Sequence, residues 1–491
     1  MALPAVRTVQ DSIHGQIPLT AEEAQLLDTP PLQRLRRLRQ LSLLHYVFPT
    51  AEHSRFSHSL GVLAVAQRIA EQIHRQVPRE QFGPDQERLV RLAALLHDVG
   101  HLPLSHVGED AYAALRSRDA ASQTGNSRTV LLDRFAVRAK GKGLHEELGA
   151  LAVMHDESIV SIIGPGLAAQ VAELITKDHK HWMCQLVVSS ALDADRLDYL
   201  VRDSRSVGLN YGLVDVGFLI GSMELCESEI GPVLALSEKA LAAAEHYLLA
   251  RYFHYGQVVQ HKTVVALEAV AKALFYRLVE REWLPTEGAV RGYIGGDGWQ
   301  DYDDASFFNA AARLRRESVP GSLDWALASA VVDRRRPLPI RPLRKMELRP
   351  LRHPQPSYEY GHRRDYLRKN REIVAEAAGI LPECLSYCES RVRVENVNER
   401  YRFAEKIDLE DSDAINEMRN ALWIRREDGR AVLLATHPHS IIPHVADTTR
   451  YALRAYCVMP YGSDEASARR WSRVEEQIAR ELGDAENQGE E

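Results

Sequence analysis

The chain has 491 residues, 45% of them hydrophobic and 26% charged, and carries a net charge of −7 with histidine neutral. That is enough ordinary globular sequence for about three domains, or for one large core with appendages. The negative balance excludes a chain-wide electrostatic grip on nucleic acid, though not a local basic patch, and no apolar run approaches the roughly 18 residues of a membrane span.

The start, MALPAVRTVQD, has no apolar h-region and reads as no secretory signal. Residues 20–44 place apolar side chains at 26, 27, 32, 35, 38 and 41, near helical spacing, interrupted by Pro30 and Pro31. Helices are predicted over 57–77, 87–98, 146–157, 166–177 and 183–203. Residues 108–144 hold a polar stretch, DAASQTGNSR, and a basic one, RAKGKG. They read as an insertion or mobile loop because they lack apolar periodicity. One or two long helices follow over 237–282.

The character changes after about residue 330. DRRRPLPIRPLRKMELRPLRHPQP is basic and proline-rich and reads as a linker. ALWIRREDGRAVLLAT has the pattern of a hairpin turning at Asp428-Gly429, RYALRAYCVM that of a strand, and 464–482 that of a closing helix. The acidic tail 484–491 is expected to be disordered. The predicted fold is therefore mainly α: a helical core over 1–330 and a smaller α+β region over 331–483. The five scattered cysteines suit a reducing, cytoplasmic setting.

The strongest chemical signal is HDVGHLPLSH at 97–106. His97 and Asp98 follow the apolar run LVRLAALL, His101 lies one helical turn beyond His97, and Gly100 and Pro103 end the helix before His106. Three histidines and an aspartate directed inward need a partner such as a metal or phosphate. HSRFSHSLGV (53–62) sets Arg55 three residues before His58, at a helix start where a lone histidine reads more readily as structural. ALDADRLDYLVRD (191–203) puts Asp195, Tyr199 and Asp203 on one helix side, which taken alone reads equally well as a solvated acidic face. His145 stands in a short His-Glu-Glu cluster.

These segments, in this order, resemble the HD-domain phosphohydrolase superfamily, and within it the dNTP triphosphohydrolases. The resemblance runs from DSIHGQIPLT (11–20) through DTPPLQRLRRLRQL (28–41), the three motifs above and LARYFHYGQVVQHKT (249–263), covering roughly residues 10–310. It begins almost at Met1, so the SAM domain of mammalian members is not expected. By resemblance, His58, His97, Asp98 and Asp195 hold one divalent metal. Two imidazoles and two carboxylates suit manganese, iron, cobalt, nickel or zinc, with magnesium expected on the nucleotide phosphates. His106, then His101 and His145, are the candidates for proton transfer, with Glu109 where the family has Asp.

A triphosphate carries about four negative charges, and Arg can clamp phosphate bidentately. Arg55, Arg196 and Arg251 are assigned to it, Arg196 standing where the family has Lys. Arg251 and Lys262 are three turns apart and would point along one side of a continuous helix. Gln40, Tyr199 and Asp203 match positions that meet the sugar, Leu41 is a further candidate for substrate binding, and Val259 replaces a tyrosine against the base. Asp28, Gln33, Arg36 and Lys262 match residues that hold an activating nucleotide between subunits, which implies a homo-oligomer, a tetramer or dimer.

The implied reaction is dNTP plus water to deoxynucleoside plus inorganic triphosphate. The alternatives are a phosphodiesterase or nuclease, a nucleotide phosphatase, or a non-catalytic sensor that keeps the pocket. The basic segment 334–352, with eight Lys/Arg against Glu347 alone, is the best feature for nucleic acid, but a phosphate or subunit contact suits an acidic chain better.

Overall fold

The computed structural model describes residues 4–122, 143–350, 355–394, 415, 418–458 and 465–488. A hairpin of β1 (Arg7–Asp11) and β2 (Gly15–Leu19) precedes α1 (Ala21–Leu27) and α2 (Pro30–Arg34). Thr20 and Glu23 form a capping box at α1, and the two prolines open α2, where their missing N–H groups cost nothing. Next come α3 (Arg55–His74), α4 (Pro84–Leu96), α5 (His106–Ser122), α6 (Leu144–His155), α7 (Glu157–Ile163), α8 (Pro165–Ile175), α9 (Trp182–Val188), α10 (Ala194–Val207) and α11 (Val216–Gly221).

A hairpin of β3 (Met223–Ser228) and β4 (Gly231–Ser237) leads into α12 (Leu241–Phe253), a π-helical turn over His254–Val259, and α13 (Lys262–Glu280). Four shorter helices complete this half: α14 (Glu287–Tyr293), α15 (Asp297–Gln300), α16 (Asp304–Glu317) and α17 (Leu323–Val332). The remainder contains β5 (Leu338–Pro339), β6 (Lys345–Pro350), α18 (Tyr358–Ala378), β7 (Leu385–Val392), β8 (Trp423–Arg425), β9 (Ala431–Leu433), α19 (Ile442–Ala446), β10 (Thr448–Cys457) and α20 (Glu465–Gln488).

The chain is mainly α, with its smaller sheets toward the C-terminal part. Among the described residues, no single helix is long and apolar enough to cross a membrane. The largest core joins α3, α4, α8, α10 and α12 through Leu63, Ile69, Leu92, Leu96, Val171, Leu197 and Leu248. A second joins α5, α13, α16 and α17 around Tyr112, Phe275, Phe307 and Leu327. In the third, α18 and α20 cover one face of β10 through Leu367, Val374, Leu453, Trp471 and Ile478.

Several expectations are corrected. The expected loop at 108–144 is helical at its start, because Ala111 and Tyr112 of α5 bury against α13; residues 123–142 lie outside the described residues. The predicted helix 183–203 is two helices, because Asp193 caps α10 with its side chain and breaks the run. The π turn and the break at Gln260–His261 interrupt 237–282, so Arg251 and Lys262 do not share one helix side.

The proline-rich linker supplies two strands instead: β5 and β6 both pair antiparallel with β10, whose other edge carries β7. Several of its cations have local partners, among them Lys345 with Glu359 and Arg341 with Glu475. The hairpin at Asp428-Gly429 forms as β8 and β9, and β8 pairs in parallel with β4. That sheet therefore joins residues on both sides of position 330. Residues 484–488 continue α20 rather than beginning a disordered tail; the last three residues lie outside the described ones.

Candidate metal centre and its cavity

α3, α4 and α10 cross where their histidines and aspartates converge. Ser54 caps α3 by accepting from Ser57 N, which fixes the first turn that carries His58. α3 and α10 meet at Gly61. A Cβ there would lie 1.9 Å from Asp198 Oδ1 and 2.4 Å from the Arg202 guanidinium, so only glycine lets Asp198 reach across to His58. Gly100 serves the turn after α4 in the same way, since a Cβ there would meet the His145 carbonyl at 2.0 Å and Gly149 N at 2.2 Å. The HD turn can thus lie against α6.

His58, His97 and Asp195 each offer one ligand atom, all within 4.8 Å of one another. Both imidazoles are oriented through Nδ1: His58 Nδ1 donates to Asp198 Oδ2 at 2.7 Å, and His97 Nδ1 to the Ala94 carbonyl at 2.8 Å. Each Nε2 then faces inward as the nitrogen that would bind a metal, the arrangement that metal-binding histidines use. His97 Nε2 is buried and has no hydrogen-bond partner among the described residues, and His58 Nε2 lies 2.9 Å from Asp195 Oδ1. Asp98 stands beside them, with Oδ1 3.2 Å from His97 Nε2 and 3.1 Å from His101 Nε2. This donor set fits a divalent metal ion.

The electrostatics follow from burial and pairing. Burial opposes the charge on His58, but Asp195 and Asp198 outweigh it and raise its pKa to about 10 in the metal-free chain. Burial works against the Asp98 carboxylate, yet Arg55 with His97 and His101 holds it well below the usual range. Asp198 is held low in the same sense, chiefly by Arg202 and His14 against the cost of burial. Arg202 in turn bonds Asp11 at 3.0 Å, so the β1 strand supports the inner cluster.

A second group is organised on Glu109, which accepts from His106 Nδ1 at 3.0 Å, from His145 N at 3.0 Å and from His145 Nδ1. His101 stacks on His145 with ring centroids 4.1 Å apart. Burial disfavours the His145 cation, but Glu109 outweighs it and raises its pKa, whereas burial and Arg55 push His101 down. The turn that delivers His106 is strained, with Leu104 and Ser105 both at φ 56°. Leu104 N donates to Asp304, Ser105 Oγ to the Arg39 carbonyl, and Arg55 Nε to Ser105 Oγ.

His58, His97, Asp98, Asp195, His101, His106 and His145 line one cavity of about 320 Å³, together with Gln40, Leu41, Arg55, Arg196, Tyr199, Asp203 and Val259. Gln40 Oε1 is buried and has no hydrogen-bond partner among the described residues. Arg55 is not a free cation: its NH1 holds Asp98 at 2.7 Å, both side chains 4% exposed. Arg196 lies 3.3 Å from Asp193. Arg251 is buried behind the wall, its guanidinium 5.8 Å from the Tyr255 ring.

The four residues assigned to an activating nucleotide do not form one site in a single chain. Asp28 pairs with Arg7, and Arg36 bonds Gln33 and lies over Phe56. Lys262 borders a separate cleft of about 420 Å³ with His261 and Arg454.

Sequence reasoning passed over several residues. Asp203 Oδ1 is met by His53 Nε2 at 2.8 Å, and His254 stands 3.6 Å from Oδ2. Both histidines lie inside segments already singled out. Arg34, fully buried over Trp299, donates to the carbonyls of Tyr302 and His101 and so anchors the HD turn. Its only sequence signal is its place among other arginines.

A helical crossing that gathers His, His-Asp and Asp around an inward-facing donor set defines the HD class of metal-site protein. Residues 55–203 match the HD domain, and along this segment the chain is similar to HD-domain proteins. YwfO of Bacillus subtilis, an uncharacterized protein, is 31% identical over 255 residues, 51% of this chain and 51% of that one. Deoxynucleoside triphosphate triphosphohydrolase SAMHD1 of Homo sapiens is 28% identical over 269 residues, 52% of this chain and 42% of that one. The chain thus spans about half the length of the curated relatives it matches. A phosphohydrolase from Bacteroides thetaiotaomicron shares the fold with a TM-score of 0.63 at 21% identity, across 92% of this chain and 99% of that structure.

Proposed function

We propose that the chain is a metal-dependent dNTP triphosphohydrolase, converting dNTP and water to deoxynucleoside and inorganic triphosphate. The observation that carries this reading is the shared cavity. It holds the His58–His97–Asp195 donor set, the histidines bonded to Glu109 and, apart from Arg251, the groups assigned to sugar and phosphate. The likeness to SAMHD1 over half the chain supports the substrate class.

A divalent ion held by His58, His97, Asp98 and Asp195 would supply Lewis acidity toward a phosphoryl oxygen and acidify water. The protein's own groups do the rest. Glu109 orients His106 and His145, so that either imidazolium can give a proton to the departing 5′ oxygen, an effect worth roughly 10²–10⁴-fold. His101, held neutral, hydrogen-bonds. Gln40 and Asp203 offer acceptors to the sugar hydroxyl, and Arg196, paired with Asp193 on the cavity wall, would turn to the phosphates, whose remaining charge magnesium would offset.

Phosphorus NMR of a dNTP reaction is expected to show inorganic triphosphate as the first phosphorus-containing product. Stepwise orthophosphate would make the chain a nucleotide phosphatase, and cleavage of oligonucleotides in its place would make it a nuclease or phosphodiesterase.

The reading extends to activation by a second nucleotide in a homo-oligomer. Asp28 is exposed and bonded only to Arg7 among the described residues, so Asp28→Ala should shift stability by less than about 0.5 kcal/mol. The wild type should respond sigmoidally to dNTP or be activated by another nucleotide, with a coupling of about 5–150-fold. Asp28→Ala should remove that response and keep the metal. Hyperbolic rates with no activator, unchanged in the variant, would reduce this segment to scaffold.

A further inference from the structure

α8 ends in a Schellman motif. Asp178 N donates to the Glu173 carbonyl at 2.8 Å and Lys177 N to the Leu174 carbonyl at 3.2 Å. Lys177 occupies the left-handed position of that motif, with φ 65°, where glycine is the usual residue because any Cβ is crowded there. A lysine at this point is a conformational disadvantage, and its side chain lines the metal cavity beside Glu146, Leu174 and Ile175. Its Nζ lies 2.7 Å from Glu146 Oε1 and the side chain is 54% exposed, so it is a movable cation at the edge of the cavity.

The charge inventory gives it a use. Asp98, Asp193, Asp195, Asp203 and Glu146 line the cavity, and Arg55 and Arg196 are each turned to an aspartate. Arg55 is locked by burial with Asp98, and the α8 C-terminus by itself repels anions. A polyphosphate entering past α6 and α8 therefore needs a cation that can leave its partner. The Lys177–Glu146 bridge is partly exposed and worth little, so exchanging Glu146 for a phosphate oxygen costs little. Lysine's four-carbon stem lets the ammonium follow the ligand.

We propose that Lys177 is a substrate-positioning residue that binds the polyphosphate end of the substrate at the mouth of the metal cavity. The inference rests on the triphosphohydrolase reading for the identity of the substrate, but its test does not depend on turnover. Binding of inorganic tripolyphosphate to the full chain is measured by calorimetry for wild type, Lys177→Gly and Lys177→Arg, with thermal melting in parallel. Glycine removes both the ammonium and the left-handed strain, so Lys177→Gly should melt at or above the wild-type temperature. It should nevertheless bind tripolyphosphate about tenfold more weakly, as expected for one partly exposed charge-assisted bond. Lys177→Arg should restore most of the affinity. Where dNTP turnover is measurable, KM should rise in Lys177→Gly by the same factor while kcat changes less. Equal tripolyphosphate affinity in wild type and Lys177→Gly, no binding by wild type, or no recovery in Lys177→Arg each overturns the assignment. Tight, Lys177-dependent binding in a chain that releases no triphosphate from dNTP would uphold it and overturn the substrate reading alone.

Discussion

His97→Ala is expected to abolish retention of a transition metal and, with it, hydrolysis, while leaving the helical circular dichroism intact. The side chain is 21% exposed, and among the described residues its Nδ1 bonds only a backbone carbonyl and its Nε2 has no hydrogen-bond partner. Truncation therefore removes a ligand without stranding a buried charge. The loss of metal affinity should exceed the roughly 10–100-fold that follows removal of an outer partner of a ligand. Asp98→Ala should lose the metal as well, but with a stability cost, because Arg55 would be left buried without its carboxylate, a change worth about 3–5 kcal/mol. Asp98→Asn separates the two effects by keeping a hydrogen-bonding group against Arg55. Elemental analysis after purification, read against protein concentration, decides the matter: full metal content in His97→Ala and Asp98→Asn would sink the ligand assignment.

Local signals carried most of the helices. Apolar periodicity places α3, α4, α6 and α8 within a few residues of where the pattern of 57–77, 87–98, 146–157 and 166–177 predicts them. The HD turn was legible for the same reason, since an apolar helix delivering His97, Asp98 and His101 inward leaves few other structures. Three kinds of feature were not legible. The parallel pairing of β4 with β8 joins strands nearly two hundred residues apart, and no local pattern encodes such a partner. The π turn at His254–Val259 is hidden because its composition reads as continued helix, yet it sets His254 and Tyr255 on the cavity wall. Residues whose role is set by a tertiary partner were hidden as well. Arg34 reads as one arginine of a solvated face but is buried over Trp299, and Lys177 reads as the end of a helix. Asp198 lies one turn from Asp195, off the Asp195–Tyr199–Asp203 side, and only the crossing at Gly61 shows why it is there.

Asp198 supports the second large expected effect. Its Oδ1 meets His14 Nε2 at 2.7 Å and Arg202 NH2 at 3.0 Å, and its Oδ2 meets His58 Nδ1 at 2.7 Å and Arg202 Nε at 2.9 Å. The carboxylate is fully buried and makes no direct contribution to the ligand set, yet it decides which nitrogen of His58 faces the metal. Asp198→Ala would leave His14 and His58 without their acceptor and weaken the hold on Arg202, so a loss of about 3–5 kcal/mol is expected. Asp198→Asn keeps the shape. Because its amide can also donate, it allows His58 to turn the wrong tautomer inward, and metal affinity should fall about 10–100-fold with a smaller change in melting temperature. The pH dependence gives an independent check. The folded-state pKa of Asp198 is depressed, chiefly by Arg202 and His14 against the opposing effect of burial. Its contribution to stability is therefore present above the unfolded value of about 3.9 and is lost as pH falls through the folded value. Wild-type stability, measured by chemical denaturation, should fall more steeply below about pH 4 than that of Asp198→Asn, which lacks this proton uptake. Parallel acid profiles combined with unchanged metal affinity in Asp198→Asn would show that the carboxylate neither orients His58 nor stabilises the α3–α10 crossing.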